Sequence, residues 1–456
     1  MALPKPLRAL WGDLSSEEVS KFSILSAAFF MLIGSYWLLR SMKDAIFSDL
    51  VGYKYQPVAK MVSLVVVIFA VLFYNKLINL LKRTTLVYTV MTFFGLGFFA
   101  IAYFLGHQEM VCTLSTDSFM GPILSCVPGK VFGWVIYCFL ESFGSISVAL
   151  FLSFVASVMT SESAKRGYGM MYSFGQVGQI LGAYLVTAYA ASLGFSWLFA
   201  LGGALICSVP FFIRWYVAAH PDITPAETKS GEKKKDTGIF EGLRLIMSQP
   251  YIAGLLVVTT AYEVISTIVE YQMGMCVTEV FPNSAADFAW IKGIQGMSTG
   301  VLAIVFSLFG TSFFMRRFGL KFCLMAFPAM IGVTLLATFG LYFSGVNTYI
   351  LMWTFLVAVV IFKGLSYTLN NPSKEVMYIP TSKDVKFKAK SWIDSFGNRS
   401  TKAVGAGINN ALKTSLPLLI SAGTVISLGI VGVWLVVAAY VGNTYNTLQK
   451  ENKIIQ

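Results

Sequence analysis

Apolar runs of roughly 18–25 residues, each long enough to cross about 30 Å of hydrocarbon, recur along the whole chain between short polar interruptions. They fall near 22–42, 59–80, 84–105, 131–159, 168–190, 195–217, 250–273, 290–314, 320–344, 348–370, 390–412 and 415–442. The pattern predicts an all-α polytopic membrane protein of about twelve transmembrane helices. The eleventh run is the least apolar, because Asp394, Arg399 and Lys402 interrupt it. One long hydrophilic connection, 218–248, contains PDITPAETKSGEKKKD and divides the runs six and six. That predicts an N-terminal six-helix bundle over 1–217, a cytoplasmic linker over 218–248 and a C-terminal six-helix bundle over 249–456. A charged stretch with Pro and Gly suits a linker between two bundles that move against each other.

A short internal repeat supports duplicated halves. Thr160-Ser161-Glu162, Lys165-Arg166 and Ser173-Phe174-Gly175 follow the fourth run, and Thr381-Ser382-Lys383, Lys388, Lys390 and Ser395-Phe396-Gly397 follow the tenth. The glycines Gly167, Gly169, Gly175, Gly178 and Gly182 along the fifth run, and Gly397, Gly405 and Gly407 along the eleventh, permit close helix approach, whether for packing or for a hinge.

Composition agrees with the pattern. Of 456 residues, 56% are apolar and only 12% charged, whereas soluble domains carry about 25% charged residues; a soluble enzyme is excluded. The net charge of +12 comes largely from Lys and Arg in segments that become cytoplasmic when both termini are placed inside, such as Lys82, Arg83, Lys165, Arg166, Lys233, Lys234, Lys235, Arg316 and Arg317. It therefore reports topology and not nucleic-acid binding. The start of the chain reads neither as a cleaved secretory signal nor as an organelle transit peptide. Six cysteines without metal or CxxC spacing and two histidines predict no metal site and no cofactor. Cys112 and Cys126 share one outward loop, where a disulfide is open to them.

Ionisable residues inside apolar runs are functional candidates, since burying an unpaired ion in hydrocarbon costs at least about 2.5–3.5 kcal/mol. Glu141 sits mid-run in the fourth segment, and Glu263 and Glu270 lie seven residues apart on the seventh. Arg40 and Lys43 end the first, and Lys363, Lys374, Asp394, Arg399 and Lys402 belong to the second half. Lys292, at the start of the eighth run, reads as a lysine snorkelling to the interface, and Lys363 as the partner of a carboxylate in its own bundle. Such cations suit an anionic substrate, and such carboxylates suit ion-pair gates, hydrogen bonds to the substrate or proton coupling.

At these residues the chain resembles the ATP/ADP translocase family of obligate intracellular bacteria and plastids. The stretch Trp37-Leu38-Leu39-Arg40-Ser41-Met42-Lys43-Asp44-Ala45-Ile46-Phe47, then Gly52 and Gln56-Pro57-Val58-Ala59-Lys60, is similar to the family's first signature. Glu141 in LESFGSISVALF matches its fourth-span glutamate, and Tyr262 with Glu270 its seventh-span pair, which leaves Glu263 as an added carboxylate. Pro372-Ser373-Lys374-Glu375-Val376-Met377-Tyr378-Ile379-Pro380 resembles the family's PTKEMAYIP, and the polar eleventh helix with Lys388, Lys390, Asp394, Arg399 and Lys402 is typical of it. Asn370-Asn371 stand where many exchangers have Phe-Asp.

The resemblance implies a major-facilitator-like fold, alternating access, and Lys43, Glu141, Glu270 and Lys374 as the core of a substrate site, with Arg40, Tyr262, Asn371, Lys390, Asp394, Arg399 and Lys402 as further contacts. Lys43 and Lys374 are expected to neutralise phosphates near the midplane. Glu141 and Glu270 are expected to pair with these cations in the empty state, and Tyr137 or Tyr262 to stack on the base. The expected protein is a monomeric nucleotide transporter of the bacterial inner membrane, embedded in the lipid bilayer, which takes nucleoside di- and triphosphates and favours ATP/ADP antiport. The alternatives are a proton-coupled nucleotide importer, with Glu263 carrying the proton, and a carrier for another organic anion.

Overall fold

The computed structural model describes residues 15–110, 128–159, 161–221, 239–309, 311–451 and 453–455. Cys112, Cys126 and most of the 218–248 connection lie outside the described residues, as does Thr160 of the repeat. Helix α1 (Ser16–Leu50) opens on a capping box in which the Ser15 hydroxyl accepts from the Glu18 amide and the Glu18 carboxylate from the Ser15 amide. It ends where Gly52, at φ 102°, turns the chain into α2 (Gln56–Leu80). Then come α3 (Arg83–Gly106), α4 (Val131–Val158) and α5 (Ser161–Ala219).

Helix α5 covers the predicted fifth and sixth spans. Its apolar part runs over 53 residues, about 80 Å if straight, far more than one crossing needs. Gly194, at φ 75° and ψ 166°, breaks it into two limbs, in a backbone conformation that only glycine adopts without strain.

The second half runs through α6 (Ile239–Ser248), α7 (Pro250–Val280), α8 (Ala285–Phe309), α9 (Thr311–Phe343, broken at Gly319) and α10 (Thr348–Leu365). A π turn, Ser366–Asn370, leads into the short α11 (Asn371–Met377). Helix α12 (Lys383–Trp392), capped by the Ser382 hydroxyl, passes through a second π turn, Ile393–Gly397, into α13 (Asn398–Leu412). Helix α14 (Leu416–Lys450) completes the order. Of the two serines of the internal repeat, Ser161 is the first residue of α5 and Ser382 is the N-cap of α12.

Among the described residues, ten helices are long and apolar enough to cross a membrane, and the break at Gly194 makes two limbs of one of them. The remaining predicted span, 390–412, starts earlier than its hydropathy suggested, at Lys383. It is less apolar than the other spans because its polar groups are distributed along its whole length.

Packing groups the chain into two compact units, one within Met1–Lys229 plus Asn283–Ile304 and the other within Ser230–Pro282 plus Val305–Gln456. Most of α8 therefore packs with the first unit, a different cut from a straight six-and-six division of the sequence. In the first unit α1 lies directly on the first limb of α5. A Cβ at Gly182 would stand 2.1 Å from the Gly34 carbonyl oxygen, and one at Gly178 would stand 2.6 Å from that of Phe30. In the second unit α7 is the central element. The Gln272 amide donates to the Leu419 carbonyl at 2.9 Å, Asn409 to the Thr267 carbonyl at 3.0 Å and the Tyr251 hydroxyl to the Met377 carbonyl at 2.8 Å. These bonds tie α14, α13 and α11 to one buried helix.

Candidate functional site

In the first unit α1 carries Lys43, a buried residue, two turns before its end. An ammonium there needs a counter-charge, and Glu141 on α4 supplies it through a direct ion pair. The ammonium also stands 4.1 Å from the centroid of the Tyr137 ring, one turn earlier on α4. The Tyr137 hydroxyl accepts from the Gln56 amide at 3.2 Å. Tyr137 is fully buried, so it serves as the floor under Lys43 and offers no face to a base. One turn toward the N-terminus, Arg40 bonds the Tyr36 hydroxyl, with its guanidinium 5.6 Å from the ring centroids of both Tyr36 and Trp37.

A second ion pair adjoins the first. Lys292 of α8 places its ammonium 3.0 Å from the Asp44 carboxylate, and both side chains are buried. Lys292 therefore does not snorkel to an interface: it is drawn inward by a carboxylate on α1. Neither Asp44 nor Lys292 stands out by spacing, because the helices that carry them are far apart in sequence.

In the second unit Glu270 of α7 forms its ion pair with Lys363 of α10, a lysine 7% exposed. The expectation of a bundle partner for Lys363 holds. Glu270 was expected to pair with the site cations in the empty state, and an ion pair joins it to Lys363. Lys374, on α11, donates to the carbonyl of Thr259 at 2.7 Å. The π turn ahead of α11 shifts this segment against the register of α10; π turns often mark places where a helix is bent for function.

Glu263, one face of α7 from Glu270, lies 3.4 Å from the Lys402 ammonium of α13. Lys390 holds Glu375 through both carboxylate oxygens at 2.5 and 2.6 Å, and its ammonium stands 5.6 Å from the Tyr378 ring centroid. Tyr262 is buried beside Phe327, with ring centroids 5.7 Å apart. Asn371 is exposed at the start of α11, Asp394 is exposed in the second π turn, and Arg399 is half-buried on α13.

Long apolar helices that bury paired ions define a polytopic membrane protein. Its fold is major-facilitator-like. It superposes with a TM-score of 0.63 on a bacterial homologue of the iron transporter ferroportin in an inward-facing state, at 14% identity over 94% of this chain and 100% of that one. With the nucleoside transporter NupG the TM-score is 0.59, at 13% identity over 93% and 98% of the two chains. At these identities the likeness concerns the fold alone.

The chain belongs to the TLC ATP/ADP transporter family, whose model matches residues 4–445. It is 27% identical to the chloroplastic ADP,ATP carrier protein 2 of Arabidopsis thaliana, over 96% of this chain and 76% of that carrier. It is 25% identical to ADP,ATP carrier protein 1 of Chlamydia muridarum, over 89% and 84% of the two chains. The protein is accordingly a nucleotide transporter and not an enzyme.

Proposed function

We propose that this nucleotide transporter exchanges ATP for ADP by alternating access in a bacterial inner membrane, with both termini cytoplasmic and one chain as the transport unit. The observation that carries the reading is that each unit buries a lysine against a carboxylate of its own: Lys43 against Glu141 and Lys363 against Glu270. A buried ammonium stripped of its partner is destabilised by about 3–5 kcal/mol, so the empty carrier keeps its cations paired. A polyphosphate brings its own negative charge, takes over Lys43 and frees Glu141.

Lys43 and Lys374 are the proposed phosphate ligands, with Arg40, Lys390, Arg399 and Lys402 as auxiliary cations and Tyr262, Asn371 and Asp394 as polar contacts for base or ribose. The Lys374 bond to the Thr259 carbonyl is one that a phosphate oxygen readily replaces, because the carbonyl is neutral and a phosphate adds the attraction of a full negative charge. Exchange is favoured over proton symport because Glu263, the added carboxylate, is already paired with the Lys402 ammonium 3.4 Å away.

Uptake of labelled ATP into proteoliposomes tests this directly. Exchange requires internal ADP and is indifferent to an imposed pH gradient. Uptake into vesicles empty of nucleotide, driven by an inward proton gradient, would establish the proton-coupled reading. Failure of any nucleotide to compete with bound fluorescent ATP would point to a carrier for another organic anion.

A further inference from the structure

We propose that Lys292 is a positioning residue for Lys43: by neutralising Asp44, it leaves Lys43 available to a nucleotide phosphate. The inference rests on the reading of Lys43 as a phosphate ligand and adds a residue that acts through it.

Asp44 follows Lys43 directly on α1, and its carboxylate stands 3.9 Å from the Lys43 ammonium. The same carboxylate reaches Lys292 at 3.0 Å through its other oxygen. Glu141, Lys43, Asp44 and Lys292 therefore form a row of alternating charge that sums to zero. Glu141 is on α4 and is free to part from Lys43 when a phosphate arrives. Asp44 cannot part from it, because one peptide bond fixes the two residues on the same helix. Whatever negative charge Asp44 keeps competes permanently with the substrate for the Lys43 ammonium.

Proximity makes that competition strong, since the attraction between unit charges about 4 Å apart grows as water is excluded, and both residues are buried. Lys292 is the closer cation and takes up most of the Asp44 charge.

The place of Lys292 is fixed by packing and not by the ion pair alone. The next residue, Gly293, lies so near α5 that a Cβ there would stand 2.1 Å from the Thr187 hydroxyl oxygen. One turn on, the carbonyl of Gly296 accepts from the Gln179 amide at 3.2 Å. Helix α8 is thus held against the first unit at the level of Asp44 by contacts that do not depend on charge.

The test uses the full-length carrier in proteoliposomes with labelled ATP, at equal amounts of membrane protein, and compares Lys292→Met, Lys292→Arg, the double variant Asp44→Asn/Lys292→Met, and Lys43→Ala. Lys292→Met is expected to raise the KM about tenfold, with Lys292→Arg and the double variant within about threefold of wild type. A role in packing alone would lower the maximal rate or the amount of inserted protein, and removing the Asp44 charge would not repair it. A wild-type KM for Lys292→Met, or a double variant no better than the single one, overturns the inference. Where Lys292→Met does not insert, the double variant decides, since it buries no unpaired ion: a KM near wild type supports the inference and a raised one overturns it. Lys43→Ala separates the two levels. Normal uptake by that variant would defeat the phosphate-ligand reading itself, whereas loss of uptake there with an unaffected Lys292→Met would defeat only the role of Lys292.

Discussion

Lys43 and Glu141 meet between α1 and α4, with the ammonium shared between a carboxylate and the face of the Tyr137 ring. The carboxylate is the more exposed partner, at 31% of its side chain against 9% for the lysine. The cation is therefore built into the protein while its counter-charge is the more accessible of the two. Replacing Lys43 with Ala should abolish uptake of labelled nucleotide and leave the protein in the membrane, and the same holds for Lys374→Ala. Normal uptake by both variants would remove the basis for the site.

The same asymmetry makes Glu141→Gln informative, because it keeps the shape and deletes the competitor. Nucleotide should bind this variant several-fold more tightly, while the empty protein should be less stable for want of a counter-charge. Ligand binding then restores what the substitution removed, so the rise in melting temperature on adding saturating ATP should exceed that of wild type. An equal rise in both proteins would show that Glu141 does not compete with substrate.

Much of this site is legible in the sequence, and the missing parts share one cause. Glu141 announces itself because a carboxylate in the middle of an apolar run has few bland explanations, and Lys43 and Lys374 sit in stretches that resemble family signatures. The partners are harder. Which lysine meets Glu270, and that Lys292 turns inward to Asp44, depends on how helices rotate against each other, and a hydropathy pattern does not fix rotation when a helix is apolar on every side. The same limit blurs the segment from Lys383 to Leu412, whose polar groups hide its continuity from an apolar window although its backbone is helical except at one π turn. The π turns themselves leave no mark in the composition.

Lys363 and Glu270 provide a test of the second unit that is independent of the first. Both side chains are largely shielded from water, so their coupling should exceed that of an exposed pair, which is worth about 0–1 kcal/mol. In a double-mutant cycle on melting temperature and on KM, Lys363→Met and Glu270→Gln should each be severe, and the double variant less so than their sum. A coupling energy below about 0.5 kcal/mol would mean that the pair acts as two independent residues.

The contact between α1 and α5 predicts where small residues are indispensable. In lipid, helices gain little from hiding apolar surface and depend on close packing, so backbone approach at Gly178 and Gly182 supplies the adhesion. A methyl group at Gly182 would stand 2.1 Å from the Gly34 carbonyl oxygen, a backbone atom that cannot swing aside, and α1 would have to withdraw along with Lys43. Gly432, on α14, meets nothing within 4 Å of the same added methyl. Gly182→Ala should therefore lower the melting temperature of the purified carrier by several degrees and reduce nucleotide affinity with it, whereas Gly432→Ala should leave both unchanged or raise stability slightly through its better helix propensity. Equal behaviour of the two variants in fluorescence-detected thermal unfolding would show that the α1–α5 contact can relax without cost, and that the placement of Lys43 does not depend on it.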